Sequence, residues 1–221
     1  MEGKDGILER IRDVGVIGIF RVDRPENCLK AMDALVEGGL TVFEVTTTTP
    51  RATELIAEAR GVYGGRALVG IGTVLDAETA SKGIDAGAQF VVSPSLHQDV
   101  LGVCRERGVV SCPGTFTATE VVQAWRWGAD LIKVFPISQV GPGYIGSILG
   151  PLPWVRLVPT GGVDVGNAGA YIRAGAYALG VGGALVSKKA ISEGRYGALT
   201  EAAAAILREV RAAREEGRAV G

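Results

Sequence analysis

Eight repeats of a short strand followed by a helix predict a (β/α)8 barrel of parallel strands for this 221-residue chain, a single α/β domain of TIM-barrel type with an extra N-terminal helix. Three observations carry that expectation. Apolar strand-length runs alternate with amphipathic helical segments from one end of the chain to the other. A glycine closes helix after helix, at Gly15, Gly38, Gly64, Gly87, Gly108, Gly128 and Gly175, at intervals of 23, 26, 23, 21 and 20 residues and then 47. Each suits a left-handed residue that ends a helix and turns the chain into the next strand. Finally, no G-x-G-x-x-G follows the first strand, the mark expected of the competing open doubly wound sheet.

The elements follow in order. Ile7, Leu8 and Ile11 among charged neighbours give residues 1–14 an amphipathic helix ahead of the barrel. Strands are expected at Val16–Phe20, Thr41–Val45, Ala67–Ile71, Phe90–Val92, Val109–Cys112, Leu131–Val134, Val155–Val158 and Ala176–Val181. The 47-residue interval holds two units, the second announced by Pro151 and Pro153 rather than by glycine. Helices are expected at Glu26–Glu37, Arg51–Val62, Ala77–Ala86, Gln98–Arg107, Ala118–Trp127, Gly143–Leu149, Asn167–Ala174 and Tyr196–Arg214. Residues 215–221 read as a frayed tail. One barrel domain then spans residues 1–221, with no linker or low-complexity tract.

Composition narrows the functional classes. At 47% hydrophobic and 21% charged the chain is globular, and a net charge of −1 gives no electrostatic case for nucleic acid or an anionic membrane. Every apolar run is interrupted before membrane-spanning length, and no secretory signal pattern opens the sequence. Cys28, Cys104 and Cys112 are scattered without metal-ligand spacing and read as buried apolar residues in a reducing, cytoplasmic compartment. A lone His97 offers no metal cluster, so no metal is expected.

The chemistry is sought where barrel strands end. In Ala129–Pro136 a lysine sits in the middle of an apolar strand, with Leu131, Lys133 and Phe135 on one face and Ile132 and Val134 on the other. In the second strand Glu44 and Thr46 share a face opposite Phe43 and Val45. If the outward faces meet helices, one acid and one amine enter the same lumen. An amine there can condense with a ketone to a Schiff base, with the carboxylate moving protons; a structural buried ion pair is the alternative. Two glycine loops, Thr160-Gly161-Gly162 after strand seven and Gly182-Gly183 after strand eight, expose backbone N–H groups to an anion, helped by the helix start that follows. Arg21 could clamp a phosphate or carboxylate, or pair with Asp23 or Glu26. Thr46–Thr49 offer hydroxyls for a carboxylate, or Thr49 caps a helix with Pro50 at its first position.

Taken in order, Glu44-Val-Thr46, Gly70-Ile-Gly-Thr-Val74, Ser93-Pro94, Cys112-Pro-Gly114, Lys133-Val-Phe-Pro136 and Pro159-Thr-Gly-Gly162 resemble the 2-keto-3-deoxy-6-phosphogluconate (KDPG) aldolase family. That family includes the 6-phosphogalactonate and 4-hydroxy-2-oxoglutarate aldolases, and the likeness covers nearly the whole chain. The resemblance implies a class I aldolase that forms pyruvate and a phosphorylated or small aldehyde without a metal cofactor, as a homotrimer. It implies Lys133 as the Schiff-base lysine, Glu44 as general acid/base, Thr73 with Pro94 at the pyruvate carboxylate, Phe135 beside the pyruvyl group, and Gly161, Gly162, Gly182 and Gly183 at the distal phosphate. Two departures stand out. Thr48 takes a place where some members carry a carboxylate-binding arginine, leaving that task to Thr73, backbone groups and Arg21. Gly183 takes the place of a serine in the phosphate loop. Two other readings remain open at this point: a phosphate-binding isomerase or synthase without an imine, and a non-catalytic barrel that binds a phosphosugar or keto acid.

Overall fold

The computed structural model describes residues 3–219. Its helices are α1 (Lys4–Val14), α2 (Cys28–Glu37), α3 (Ala52–Tyr63), α4 (Ala77–Asp85), α5 (Gln98–Glu106), α6 (Ala118–Arg126), α7 (Pro142–Leu149), α8 (Ala168–Arg173), α9 (Lys188–Ser192) and α10 (Tyr196–Ala219). Between them lie β1 (Val16–Phe20), β2 (Val42–Thr46), β3 (Leu68–Gly72), β4 (Phe90–Val92), β5 (Val110–Cys112), β6 (Gly114–Thr115), β7 (Ile132–Val134), β8 (Leu157–Pro159) and β9 (Leu179–Val181).

All pairings are parallel, in the order β5-β4-β3-β2-β1-β9 and β6-β7-β8. Pro113, which cannot donate a ladder hydrogen bond, separates β5 from β6, and the two are halves of one stave. Leu131 N–H donates to Ser111 C=O and Lys133 N–H to Pro113 C=O, both at 2.9 Å, which carries the ladder across that break. A bridge between Thr160 and Gly180 joins β8 to β9. The curled sheet is thus a closed (β/α)8 barrel.

Strand alternation sorts the side chains as the sequence implies. Phe43, Val45, Ile132 and Val134 pack outward in the large cluster between strands and helices. Val42, Leu68, Phe90, Val110, Leu131 and Val158 fill the lumen. Ile7, Leu8 and Ile11 of α1 join that second cluster and plug the lower end of the barrel. The plug is anchored by a 2.8 Å Lys4–Asp130 ion pair and by Tyr177 Oη donating to Leu8 C=O at 2.9 Å. All three cysteines are buried thiols, and burial pushes each up to about 12.

Several boundaries differ from expectation for local reasons. At the Gly38-Gly39 pair the left-handed residue is Gly39 (φ 93°), while Gly38 keeps helical backbone. The strand expected from Val155 begins at Leu157, and Arg156 lies outside it with its guanidinium over the Tyr177 ring at 5.7 Å. Helix α10 continues through Ala219, so the expected fraying from residue 215 is corrected: residues 215–219 are helical. Buried Val210 and Ala213 and an Arg173–Glu216 ion pair at 3.1 Å hold the last turns down; residues 220–221 lie outside the described residues. Among the described residues no helix is long and apolar enough to cross a membrane.

Ile11, fully buried at the centre of the plug, tests its contribution. Replacing it by alanine should lower unfolding free energy by about 3 kcal/mol in denaturant titration; a loss near zero would mean that α1 does not seal the core.

Candidate active site

At the strand C-terminal end the barrel opens into a cavity of about 550 Å³. Its walls include Arg21 after β1, Glu44 from β2, Thr73 after β3, Pro94 after β4, Lys133 from β7 with Phe135 just beyond it, Thr160-Gly161-Gly162 after β8 and Gly182-Gly183 after β9. Residues from seven staves of the barrel therefore meet in one space.

Glu44 is 2% exposed and Lys133 is 7% exposed. Burial, the dominant influence, pushes the Glu44 carboxyl above the ordinary carboxylate range, while the charges of Lys133 and Arg21 oppose that shift. The Lys133 ammonium nitrogen lies 4.9 Å from the centre of the Phe135 ring, whose face provides an electrostatic partner. Phe135 itself is 37% exposed and forms part of the cavity wall.

Thr73 adopts φ 61°, an uncommon left-handed conformation for a β-branched residue. Such a conformation costs on the order of 1–3 kcal/mol and survives where neighbours over-determine it. Here Thr47 Oγ1 donates to Thr73 C=O at 2.9 Å, and the adjacent Val74 N–H donates to Val92 C=O at 3.1 Å. The strained backbone sets Thr73 in the cavity wall. Across the cavity, Gly161 (φ 92°) and Gly162 (φ 83°) are two left-handed residues in succession, a conformation that glycine alone adopts readily. The six-residue α8 begins only at Ala168, after a turn in which Asp164 Oδ1 accepts from Gly166 and Asn167 N–H. Its start is thus removed from the glycines, which corrects the expected helix contribution at this loop.

Other expectations also change. Thr46 shares the Glu44 face, but its hydroxyl donates to Phe20 C=O at 3.1 Å and lies 2.9 Å from the Thr48 hydroxyl. Neither residue lines the cavity; Thr48 borders a separate surface hollow with Thr47, Thr49 and Arg51. Thr49 does not cap α3, because its hydroxyl donates to Phe20 C=O and accepts from Val22 N–H, while Arg51 takes the cap position in left-handed backbone. These threonines stitch the β1 and β2 ends together. Arg21 pairs with neither Asp23 nor Glu26; Lys188 takes Asp23 instead, at 2.8 and 3.0 Å. Among the described residues no group of three or more His, Cys, Asp or Glu side chains is arranged to hold a metal.

The sequence reading missed Lys188 and Asp164, both of which line the cavity. Lys188 arrives on the short α9, capped by Ser187 accepting from Ala190 N–H at 3.2 Å. Ser187-Lys188-Lys189 after the glycine loop was the available signal.

The sequence model of one family, described as KDPG and KHG aldolase, matches residues 7–202. The chain belongs to the KDPG and KHG aldolase family. It is an aldolase, a carbon–carbon lyase. A 2-dehydro-3-deoxy-phosphogluconate aldolase from Treponema pallidum is 37% identical over 196 residues, 88% of this chain and 92% of that protein. A 2-dehydro-3-deoxy-6-phosphogalactonate aldolase from Escherichia coli K12 is 33% identical over 168 residues, 76% of this chain and 82% of that one. Among solved structures, a KDPG aldolase from Legionella pneumophila with pyruvate captured as a covalent carbinolamine superposes with a TM-score of 0.81 at 27% identity. The superposition covers 87% of this chain and 93% of that one.

The raised Glu44 carboxyl has a signed consequence for stability. A proton held more tightly in the folded state adds stability that is full below the ordinary value of 4.5 and is lost as pH rises through the folded value. Glu44→Gln removes that dependence, so its melting temperature relative to the parent should rise steadily from acid to neutral pH. Parallel melting curves across the series would show that Glu44 carries no such penalty.

Proposed function

We propose that this aldolase works through a lysine imine, with Lys133 as nucleophile and Glu44 as the proton-transfer group, cleaving a 2-keto-3-deoxy-6-phospho sugar acid or 4-hydroxy-2-oxoglutarate reversibly to pyruvate and an aldehyde. The observation that carries this reading is the pair itself: an acid whose carboxyl is raised by burial and an amine on the opposite wall, both facing one cavity.

The chemistry follows from their positions. The Lys133 amine adds to the C2 ketone to give a carbinolamine, which loses water to form the imine. Glu44 accepts the proton of the C4 hydroxyl as the C3–C4 bond breaks; the bonding pair passes into the iminium and leaves an enamine, and the aldehyde departs. Protonation at C3 and hydrolysis then release pyruvate and the free lysine. Thr73 and the Pro94 turn flank the position for the pyruvate carboxylate, and Phe135 borders the pyruvyl group. Arg21, Thr160, Gly161, Gly162, Gly182 and Gly183 surround the position for the distal anion, phosphate in the larger substrates or carboxylate in the smaller. The reaction as written uses no metal or dissociable cofactor. Following the resemblance, we place the enzyme in the cytoplasm as a homotrimer built from one barrel domain per chain.

Borohydride reduction with pyruvate, followed by intact mass and peptide mapping, tests the imine. One pyruvyl adduct at Lys133, absent from Lys133→Ala, is expected; no adduct on the folded parent protein would sink the reading. Glu44→Gln should lower kcat by about 10²–10⁴-fold, the usual range for a lost general acid/base. For the distal anion, Arg21→Ala should raise KM for glyceraldehyde 3-phosphate by about 10-fold or more in the synthesis direction, consistent with the loss of one charged hydrogen bond. An unchanged KM would remove Arg21 from the phosphate position.

A further inference from the structure

The inner face of β3 is bare above its first residue. Alternation directs Leu68, Gly70 and Gly72 into the lumen, and of these Leu68 alone carries a side chain. The vacated volume is filled from neighbouring strands. A methyl group on Gly70 would stand 2.5 Å from the ring carbons of Phe90, the β4 side chain that packs there. A methyl group on Gly72 would overlap Oε1 and Cδ of Glu44 and stand 2.5 Å from its Cγ. All three nearest atoms at Gly72 therefore belong to the Glu44 side chain. In the β2–β3 ladder Glu44 is level with Gly70 and Thr46 with Gly72, so the Glu44 side chain rises along the strand and crosses to the neighbouring stave.

We infer that Gly72 is a positioning residue for the reaction: the side chain it lacks is the slot that holds the Glu44 carboxyl against the backbone of β3. This inference rests on the proposed role of Glu44 as the proton-transfer group. The slot answers a problem that the cavity poses. A carboxylate and an ammonium facing each other in a confined lumen attract strongly, and a collapsed ion pair would occupy both groups. Glu44 and Lys133 interact through their charges but form no direct ion pair among the described residues. Resting the carboxyl against β3 keeps it on its own wall and leaves space between acid and amine for the reacting carbons. Thr73, next in the chain, carries the strained left-handed backbone, so the slot and the bend adjoin in sequence. Gly72 touches no reacting atom in this account; it acts through Glu44.

A cycle of Gly72→Ala, Glu44→Ala and the double variant tests the slot by melting temperature and by steady-state kinetics. In the parent background, Gly72→Ala should lower the melting temperature and reduce kcat by about 100-fold, the scale of loss from misplacing a catalytic group by about 1 Å, with KM for pyruvate little changed. In the Glu44→Ala background the slot is empty, and the same methyl should lower neither the melting temperature nor the residual kcat. A Gly72→Ala protein that fails to fold while the double variant folds would support the slot as well. Equal losses in both backgrounds, no loss in the parent, or failure of both alanine-72 proteins to fold would overturn it. The melting-temperature arm is independent of the imine. A missing pyruvate adduct on the parent protein would reject the Lys133 mechanism while leaving the coupling between Gly72 and Glu44 to be read separately.

Discussion

A carboxyl group held in a barrel lumen is costly to ionise, and the upper half of this protein is arranged around that cost. Below it the lumen is hydrocarbon, closed at the bottom by α1. Nothing there can solvate Glu44, so burial dominates its proton affinity, and only Lys133 and Arg21 offset the effect. The same dryness makes each charge count for more. An acid that keeps its proton too readily for a surface carboxyl, beside an amine in the same space, is suited to moving protons during imine formation and carbon–carbon cleavage. Under the proposed role of Glu44, stability and function pull against each other at this residue.

The remainder of the upper barrel manages that conflict. Glycines on β3 remove side chains where the acid and Phe90 need room. Thr46 at the end of β2 and Thr49 just beyond it donate their hydroxyls to the end of β1, tying together the staves that carry Arg21 and Glu44. Thr73 accepts a strained backbone at the cavity wall. Across the cavity from Thr73, paired left-handed glycines present exposed backbone, and Lys188 reaches the cavity while ion-paired with Asp23.

The repeat of strands and helices was legible because burial on both sheet faces forces short apolar runs, and helices must turn at small residues between them. Lys133 and Glu44 were legible for a related reason: a charge inside a strand is rare enough to stand out, and alternation assigns it a face. The threonine run was harder to read. Its hydroxyls suit a ligand, a helix cap or a neighbouring strand equally well, and only the distance to Phe20 C=O decides among them. Lys188 was overlooked because a lysine in a polar segment carries no periodic signal, and its approach to the cavity depends on a five-residue helix.

By itself the sequence determined the class of fold, the faces of its strands and the two charged side chains, Glu44 and Lys133, that enter the lumen, because these follow from local periodicity and from the rarity of charge in a core. Only the tertiary structure decided which residues share the cavity, since that depends on how eight staves curl and how far each loop reaches. It also decided where the Glu44 carboxyl rests. Gly72 and Glu44 are far apart in the chain and neighbours across the ladder, and a missing side chain acquires meaning only when another strand brings an atom to fill its place.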